Sequence, residues 1–230
     1  MSAHLKALTR RTTPDDVPIF PLSGTVMLPA TEMPLNIFEP RYLNMVDDAL
    51  RTDRIIGMIQ SSDDLPGGVE RVGGLGRIMQ FSETDDGRYI VVLKGLRRFN
   101  YVADSDEATP YRRATISFDG FEDDYMAHDS RAVSEALSES GTADRAALTL
   151  AMRNFAKTLR VEVDWEALKE VPLPTLVNQA AMISPFRADD KQSLLEAPTT
   201  DERRRLLIGL MHVYSSPSGG MGSGMDTPPN

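Results

Sequence analysis

From residue 17 to about 118 the apolar positions fall in short runs, at 17–22, 26–28, 35–38, 54–60, 77–81, 89–93 and 112–118. Each run is strand-sized, and proline or glycine punctuates the gaps, so the stretch predicts β structure. Asp85-Asp86-Gly87 marks a hairpin between two of the runs. Glycines 67, 68, 73, 74, 76 and 95 lie in or beside the runs, where bulges and sharp bends use them. That density of bends predicts a small, strongly curled barrel rather than a flat sheet. One helix interrupts: Pro40 suits a first helical turn, and Leu43, Val46, Ala49 and Leu50 follow at three- and four-residue spacing.

Beyond about residue 131 the spacing becomes helical. Ala146, Leu150, Phe155 and Leu159 sit within a run at 143–161 that lacks Gly and Pro. Shorter helices are predicted at 165–171, 175–184 and 189–196, punctuated by Pro172, Pro174, Pro185 and Pro198. Thr199 and Glu202 form a Thr-x-x-Glu capping box, and Leu206, Leu207, Leu210, Met211 and Tyr214 continue on one stripe. The expected organisation is a flexible start at 1–16, a β lobe at 17–120, a linker at 119–130, a helical bundle at 131–214 and a disordered tail at 215–230. The tail is Ser, Gly, Pro and Met without periodicity. The fold class is therefore α+β, a β-rich barrel lobe with one helix followed by a helical bundle.

Composition narrows the function classes. The 230 residues include no cysteine, which excludes disulfide scaffolds, thiolate metal sites and cysteine nucleophiles. The formal net charge is −9, with 14 basic and 17 acidic residues up to position 120 and 11 and 17 after it. Neither half carries the positive excess that phosphate neutralisation needs, so binding to nucleic acid or to an anionic membrane is not expected. The longest apolar runs are strand-sized, and residues 1–16 hold Lys6, Arg10 and Arg11 without an apolar stretch. Neither a membrane span nor a secretory signal is predicted, and the expected location is the cytoplasm.

Motifs for catalysis are missing. His4, His128 and His212 are scattered, with no second histidine at ligand spacing, so no metal site is expected. There is no Gly-x-Ser-x-Gly elbow and no phosphate loop, and Gly73-Gly74-Leu75-Gly76 runs into a strand rather than a helix N-terminus. The acidic pairs Asp47-Asp48, Asp63-Asp64 and Asp189-Asp190 are sequence neighbours, which do not converge as an acid and a base must. No catalytic residue, cofactor or metal is assigned.

One constellation is distinctive. It runs Val17-Pro18-Ile19-Phe20-Pro21-Leu22-Ser23-Gly24, then Val26-Met27-Leu28-Pro29, then Met33-Pro34-Leu35-Asn36-Ile37-Phe38-Glu39-Pro40-Arg41-Tyr42. Its prolines confine the strands to edges or bulges. Glu39 falls where a helix dipole favours an anion, whereas Arg41 in the same turn needs a carboxylate partner or an anionic ligand.

This stretch resembles the start of the Lon protease N-terminal, substrate-binding domain, especially its stand-alone bacterial members and the Lon-like domain of cereblon. The similarity continues through Arg54-Ile55-Ile56-Gly57-Met58-Ile59, Val72-Gly73-Gly74-Leu75-Gly76-Arg77-Ile78 and Asp86-Gly87-Arg88. It goes on with Lys94-Gly95-Leu96-Arg97-Arg98-Phe99, where Gly-x-x-Arg is the family pattern, and with Gln192-Ser193-Leu194-Leu195-Glu196 and 203–207. The resemblance implies a PUA-like β lobe beside a helical bundle. It implies neither ATPase nor peptidase activity, because the modules that carry them and the phosphate loop are not in this sequence.

The expected function is non-catalytic recognition of exposed or unfolded polypeptide segments, in an adaptor or chaperone-like role in protein quality control. The partners would be such segments and a separate protease or chaperone. The expected binding residues are Met33, Leu35, Phe38, Arg41 and Tyr42, with Met27 and Met45 nearby as adaptable apolar groups. The alternative is a small-molecule or RNA-binding module on a PUA-like fold, for which Arg97, Arg98, Arg112 and Arg113 would have to converge in one groove.

Overall fold

The computed structural model describes residues 14–122, 124 and 139–216. The strands are β1 (Asp16–Pro21), β2 (Glu32–Ile37), β3 (Ile55–Ile59), β4 (Val72–Glu83), β5 (Tyr89–Asp104) and β6 (Arg113–Ser117), and α1 (Pro40–Arg51) follows β2. They form one sheet in the order β2-β5-β4-β3-β1-β6, and β6 returns to pair with the far end of β5. β5 is long enough to serve twice. It holds β2 and β4 along its first part and β6 from Asn100 to Asp104, so five strands close into a barrel with β2 appended. Only β1 and β3 run parallel. The predicted curled barrel is therefore present, with register shifts at 75/76 and 78/80 supplying curvature.

Val17, Ile19, Ile55, Leu75, Leu96, Phe99, Ala114 and Ile116 fill the barrel. Tyr42, Met45, Val46 and Ala49, one face of α1, pack over Met33, Ile37, Val91 and Leu93 in a second cluster. The helices after the barrel are α2 (Glu139–Leu159), α3 (Leu173–Ile183), α4 (Ala188–Glu196) and α5 (Thr200–Ser215). The capping box of α5 forms as expected, with Thr199 accepting from the Glu202 amide and Glu202 accepting from the Thr199 amide. The part of the linker at 125–130 and the tail from 217 lie outside the described residues.

Several elements differ from the sequence reading. β4 and β5 are longer than their apolar runs, because glycines 73, 74 and 76 and the polar positions 97 and 98 are carried inside paired strands. The region 165–171 holds only a 3₁₀ turn, Ala167–Glu170, whereas Pro174 lies inside α3, in its first turn where its missing N–H is harmless.

Residues 26–28 are not a strand but a buried crossing segment. A Cβ on Gly74 would fall on the Met27 carbonyl, and one on Gly95 on the Leu28 carbonyl. The two glycines thus let the segment lie directly against β4 and β5. There Val26 and Leu28 enter the helical core, with Val72, while Met27 enters the α1 cluster.

Polar groups fasten the helices to the barrel. Gln60 accepts from Gly24 N–H at 2.8 Å and donates to the Ala188 carbonyl and Gln192, both at 3.0 Å. Asn178 donates to the Pro29 carbonyl at 2.9 Å and accepts from the buried Arg203 at 2.8 Å. Arg98 makes a two-pronged pair with Asp124, both bonds 2.8 Å, and reaches the Leu195 and Ala197 carbonyls at 2.9 and 2.7 Å. The Gly-x-x-Arg pattern therefore ends on a joint between strands and helices.

Candidate functional site

The outer half of β4, the first half of β5 and β2 form a three-stranded flap beyond the closed ring. Register fixes its two faces. Leu35, Val91 and Phe81 share one cross-strand row, and Ile37, Tyr89 and Glu83 share another on the same side. This side packs on α1 through its inner residues. The opposite side presents Pro34, Val92 and Gln80 in one row and Asn36, Ile90 and Ser82 in the next. Phe38, one residue past β2, continues the alternation onto that outer side, diagonal to Ile90.

The expected binding residues separate on this frame. Phe38 is 62% exposed, and Arg41 is also at the surface. Leu35 is half-buried against the α1 cluster. Met33 and Tyr42 are 8% and 6% exposed, so they belong to the core and not to a contact surface. Strand alternation turns Met33 inward, and the apolar face of α1 does the same for Tyr42. Met27 and Met45 are core residues as well.

Arg41 finds its carboxylate within the motif. It pairs with Glu39 at 2.8 Å and lies over the Tyr42 ring, 4.5 Å from its centroid. The Tyr42 ring also meets Phe20 at 4.2 Å, and burial pushes its phenol above the ordinary value, with Arg41 opposing and Glu39 adding to the shift. Arg41 thus anchors the entry to α1 and needs no anionic ligand there.

Met79, Phe81 and Ile90 join Phe38 as large apolar residues exposed to solvent. Of the nine such residues among those described, these four lie on the flap or at its margin. Phe81 rests edge-on against Tyr89, ring centroids 4.9 Å apart. Sequence reading passed over Met79, Phe81 and Ile90 because they sit in apolar runs that looked like core. The Asp85-Asp86-Gly87 turn was the available signal, since a hairpin extending past the barrel leaves both its strands half-covered.

The four arginines of the alternative reading do not share a groove. Arg98 is buried with Asp124, Arg112 pairs with Asp104 at 2.7 Å, and Arg113 pairs with Asp16 and Glu107 at 2.5 and 2.6 Å. Arg97 stacks over Phe118 at 3.8 Å. An open cleft of about 400 Å³ lies by Trp165, where Arg153 is 4.8 Å from the ring centroid. No helix among the described residues is long and apolar enough to cross a membrane.

The described residues thus form a curled five-stranded barrel that carries a projecting flap and is joined to a helical bundle by buried polar groups. The family model of the ATP-dependent protease La (LON) substrate-binding domain matches residues 16–213, and the chain belongs to that family.

Its sequence is 25% identical over 206 residues to Lon protease 1 of Herpetosiphon aurantiacus, covering 84% of this chain and 23% of that protein. The chain therefore spans about a quarter of that relative's length. The fold is that of two solved structures. The Lon N-terminal domain protein from Xanthomonas campestris has a TM-score of 0.57 at 24% identity, covering 84% of this chain and 97% of that one. The N-terminal domain of the Mycobacterium avium complex Lon protease has 0.60 at 18%, covering 86% and 98%.

Proposed function

We propose that this chain is a non-catalytic recognition module that holds exposed or unfolded segments of other polypeptides in the cytoplasm, as an adaptor or holding protein in quality control. The observation that carries this reading is the pair of exposed residues Phe38 and Ile90 on the outer face of the flap of a substrate-binding-domain fold, with Phe81 exposed at the edge of the other face and Met79 at the bulge. Exposed apolar groups gathered on one projecting element mark interaction sites more often than scattered ones do. The pairing of Arg98, Arg112 and Arg113 with carboxylates supports a polypeptide over RNA as the ligand.

The test is binding of fluorescent, reduced and carboxymethylated α-lactalbumin, which stays unfolded, followed by anisotropy. Wild type is expected to bind weakly, since an unfolded client loses chain entropy when held. Phe38→Ser and Ile90→Ser are each expected to weaken binding about tenfold, the scale of one buried apolar side chain. Folded variants that bind like wild type would place the surface elsewhere. Wild type that binds no unfolded chain would end the reading.

A further inference from the structure

β4 has two neighbours along its first half and one along its second. β3 pairs with it from Gly74 to Arg77, and a last backbone bond runs from the Ile78 N–H to the Arg54 carbonyl at 2.8 Å. β5 stays paired through Glu83. β3 is lost for a local reason: Arg54 takes a positive φ of 60° where the chain leaves α1, so the backbone before Ile55 turns away from the sheet. Residues 79–83 are thus covered by a strand on one side only, and all five are exposed.

Free edges are usually blunted by proline, by charge or by covering elements. β2, another free edge of the sheet, follows that rule. Pro34 removes an N–H from its middle, and Glu32 pairs with Lys94 at 3.3 Å at its start. Residues 79–83 read Met-Gln-Phe-Ser-Glu, with no proline and no charge before the last position. The bulge at Met79 lies at the inner end of this stretch and leaves the rest regular.

We infer that the free edge of β4 at residues 79–83 accepts an extended polypeptide segment as an added strand, with an apolar side chain of that segment lying against Phe81, whose ring is backed by Tyr89. A row of backbone N–H and C=O groups at strand spacing is complemented only by another extended backbone, which commits the occupant. Main-chain bonds carry no side-chain code, so such an edge tolerates many sequences. The Phe81–Tyr89 pair adds a preference for an apolar residue at one position. This inference rests on the recognition reading and names how the client would be held.

The experiment is amide hydrogen exchange on the full chain with and without reduced, carboxymethylated α-lactalbumin, at two protein concentrations. The expected result is at least about tenfold slower exchange at amides within 79–83 when client is added, and no slowing from protein concentration alone. Phe81→Lys, a charge of the kind that guards natural edges, is expected to remove this protection. Should that variant misfold, the wild-type measurement still decides. Client binding that leaves 79–83 unprotected overturns strand addition while the recognition reading stands. Protection that grows with protein concentration in the absence of client assigns the edge to a second copy and overturns the inference. Failure of wild type to bind the client at all ends both.

Discussion

Arg98 of β5 and Arg203 of α5 converge on one acceptor, the Ala197 carbonyl, at 2.7 and 3.3 Å. Two buried cations so close are tolerable because each has other partners. Asp124 faces Arg98, while Arg203 reaches the Leu194 carbonyl at 2.7 Å and the Asn178 oxygen at 2.8 Å. Burial, with Arg98 nearby, pushes the Arg203 guanidinium down to about 9, so it remains charged at neutral pH. The carbonyls that end α4 are thereby satisfied from two directions.

Removing one partner of a buried pair leaves the other charge uncompensated, which costs roughly 3–5 kcal/mol. Arg98→Ala is expected to lose that much in urea unfolding. Asp124→Asn should cost less, because Arg98 keeps its carbonyl acceptors. The double variant should cost less than the sum of the two. Additive losses would show that the pair is not coupled.

The glycines separate by what surrounds them. Gly95→Ala places a methyl group on the Leu28 carbonyl, and backbone cannot yield as a side-chain tip can, so a loss above about 3 kcal/mol or failure to fold is expected. Gly209→Ala, on α5 with open space around it, should instead gain about 0.5–1 kcal/mol. Thermal unfolding of the two variants checks both signs.

Phe38 and Met33 are five positions apart and should behave oppositely. Phe38→Ser is expected to change stability by less than about 0.5 kcal/mol, because the ring is mostly in water. Met33→Ser removes a core side chain and is expected to cost more than about 2 kcal/mol. Client binding should fall for the first. Equal stability losses would contradict the alternation that turns one residue in and the other out.

Alkaline pH offers a further check. Burial, then the Asp48 carboxylate that accepts its hydroxyl at 2.9 Å, pushes the Tyr111 phenol above its ordinary 10.0. The native state therefore keeps this proton when the unfolded chain releases it. The stability tied to Tyr111 is full below pH 10 and is lost as pH climbs beyond it. In Tyr111→Phe the slope of stability against pH above 10 should be shallower than in wild type. An unchanged slope would mean the phenol titrates alike in both states.

Much of the architecture was legible because it follows local periodicity. Pro40 with Leu43, Val46 and Ala49 locates α1, and Thr199 with Glu202 locates the start of α5. What was not legible depends on distant partners. Nothing near residues 26–28 says that their backbone lies on Gly74 and Gly95 rather than in a strand. Arg98 entered the sequence reading only through the Gly-x-x-Arg pattern and as a candidate groove arginine, because its acceptors lie far off at 124 and 195–198. At the candidate site, alternation identified Phe38 as outward only once β2 and its neighbours were placed. Phe81 and Ile90 became surface only when β4 was seen to outrun β3.

The crossing segment has a consequence for anyone dividing this molecule. Val26 and Leu28 are lodged among the side chains of α2–α5, far from them in the chain, and Val72 accompanies them. A fragment beginning at α2 would keep its helices' sequence and still lack three plugs from the middle of its interior, as well as the Pro29 carbonyl that Asn178 grips. Excised alone, that fragment is expected to be sticky and poorly ordered, and adding back a peptide spanning residues 22–32 should tighten it.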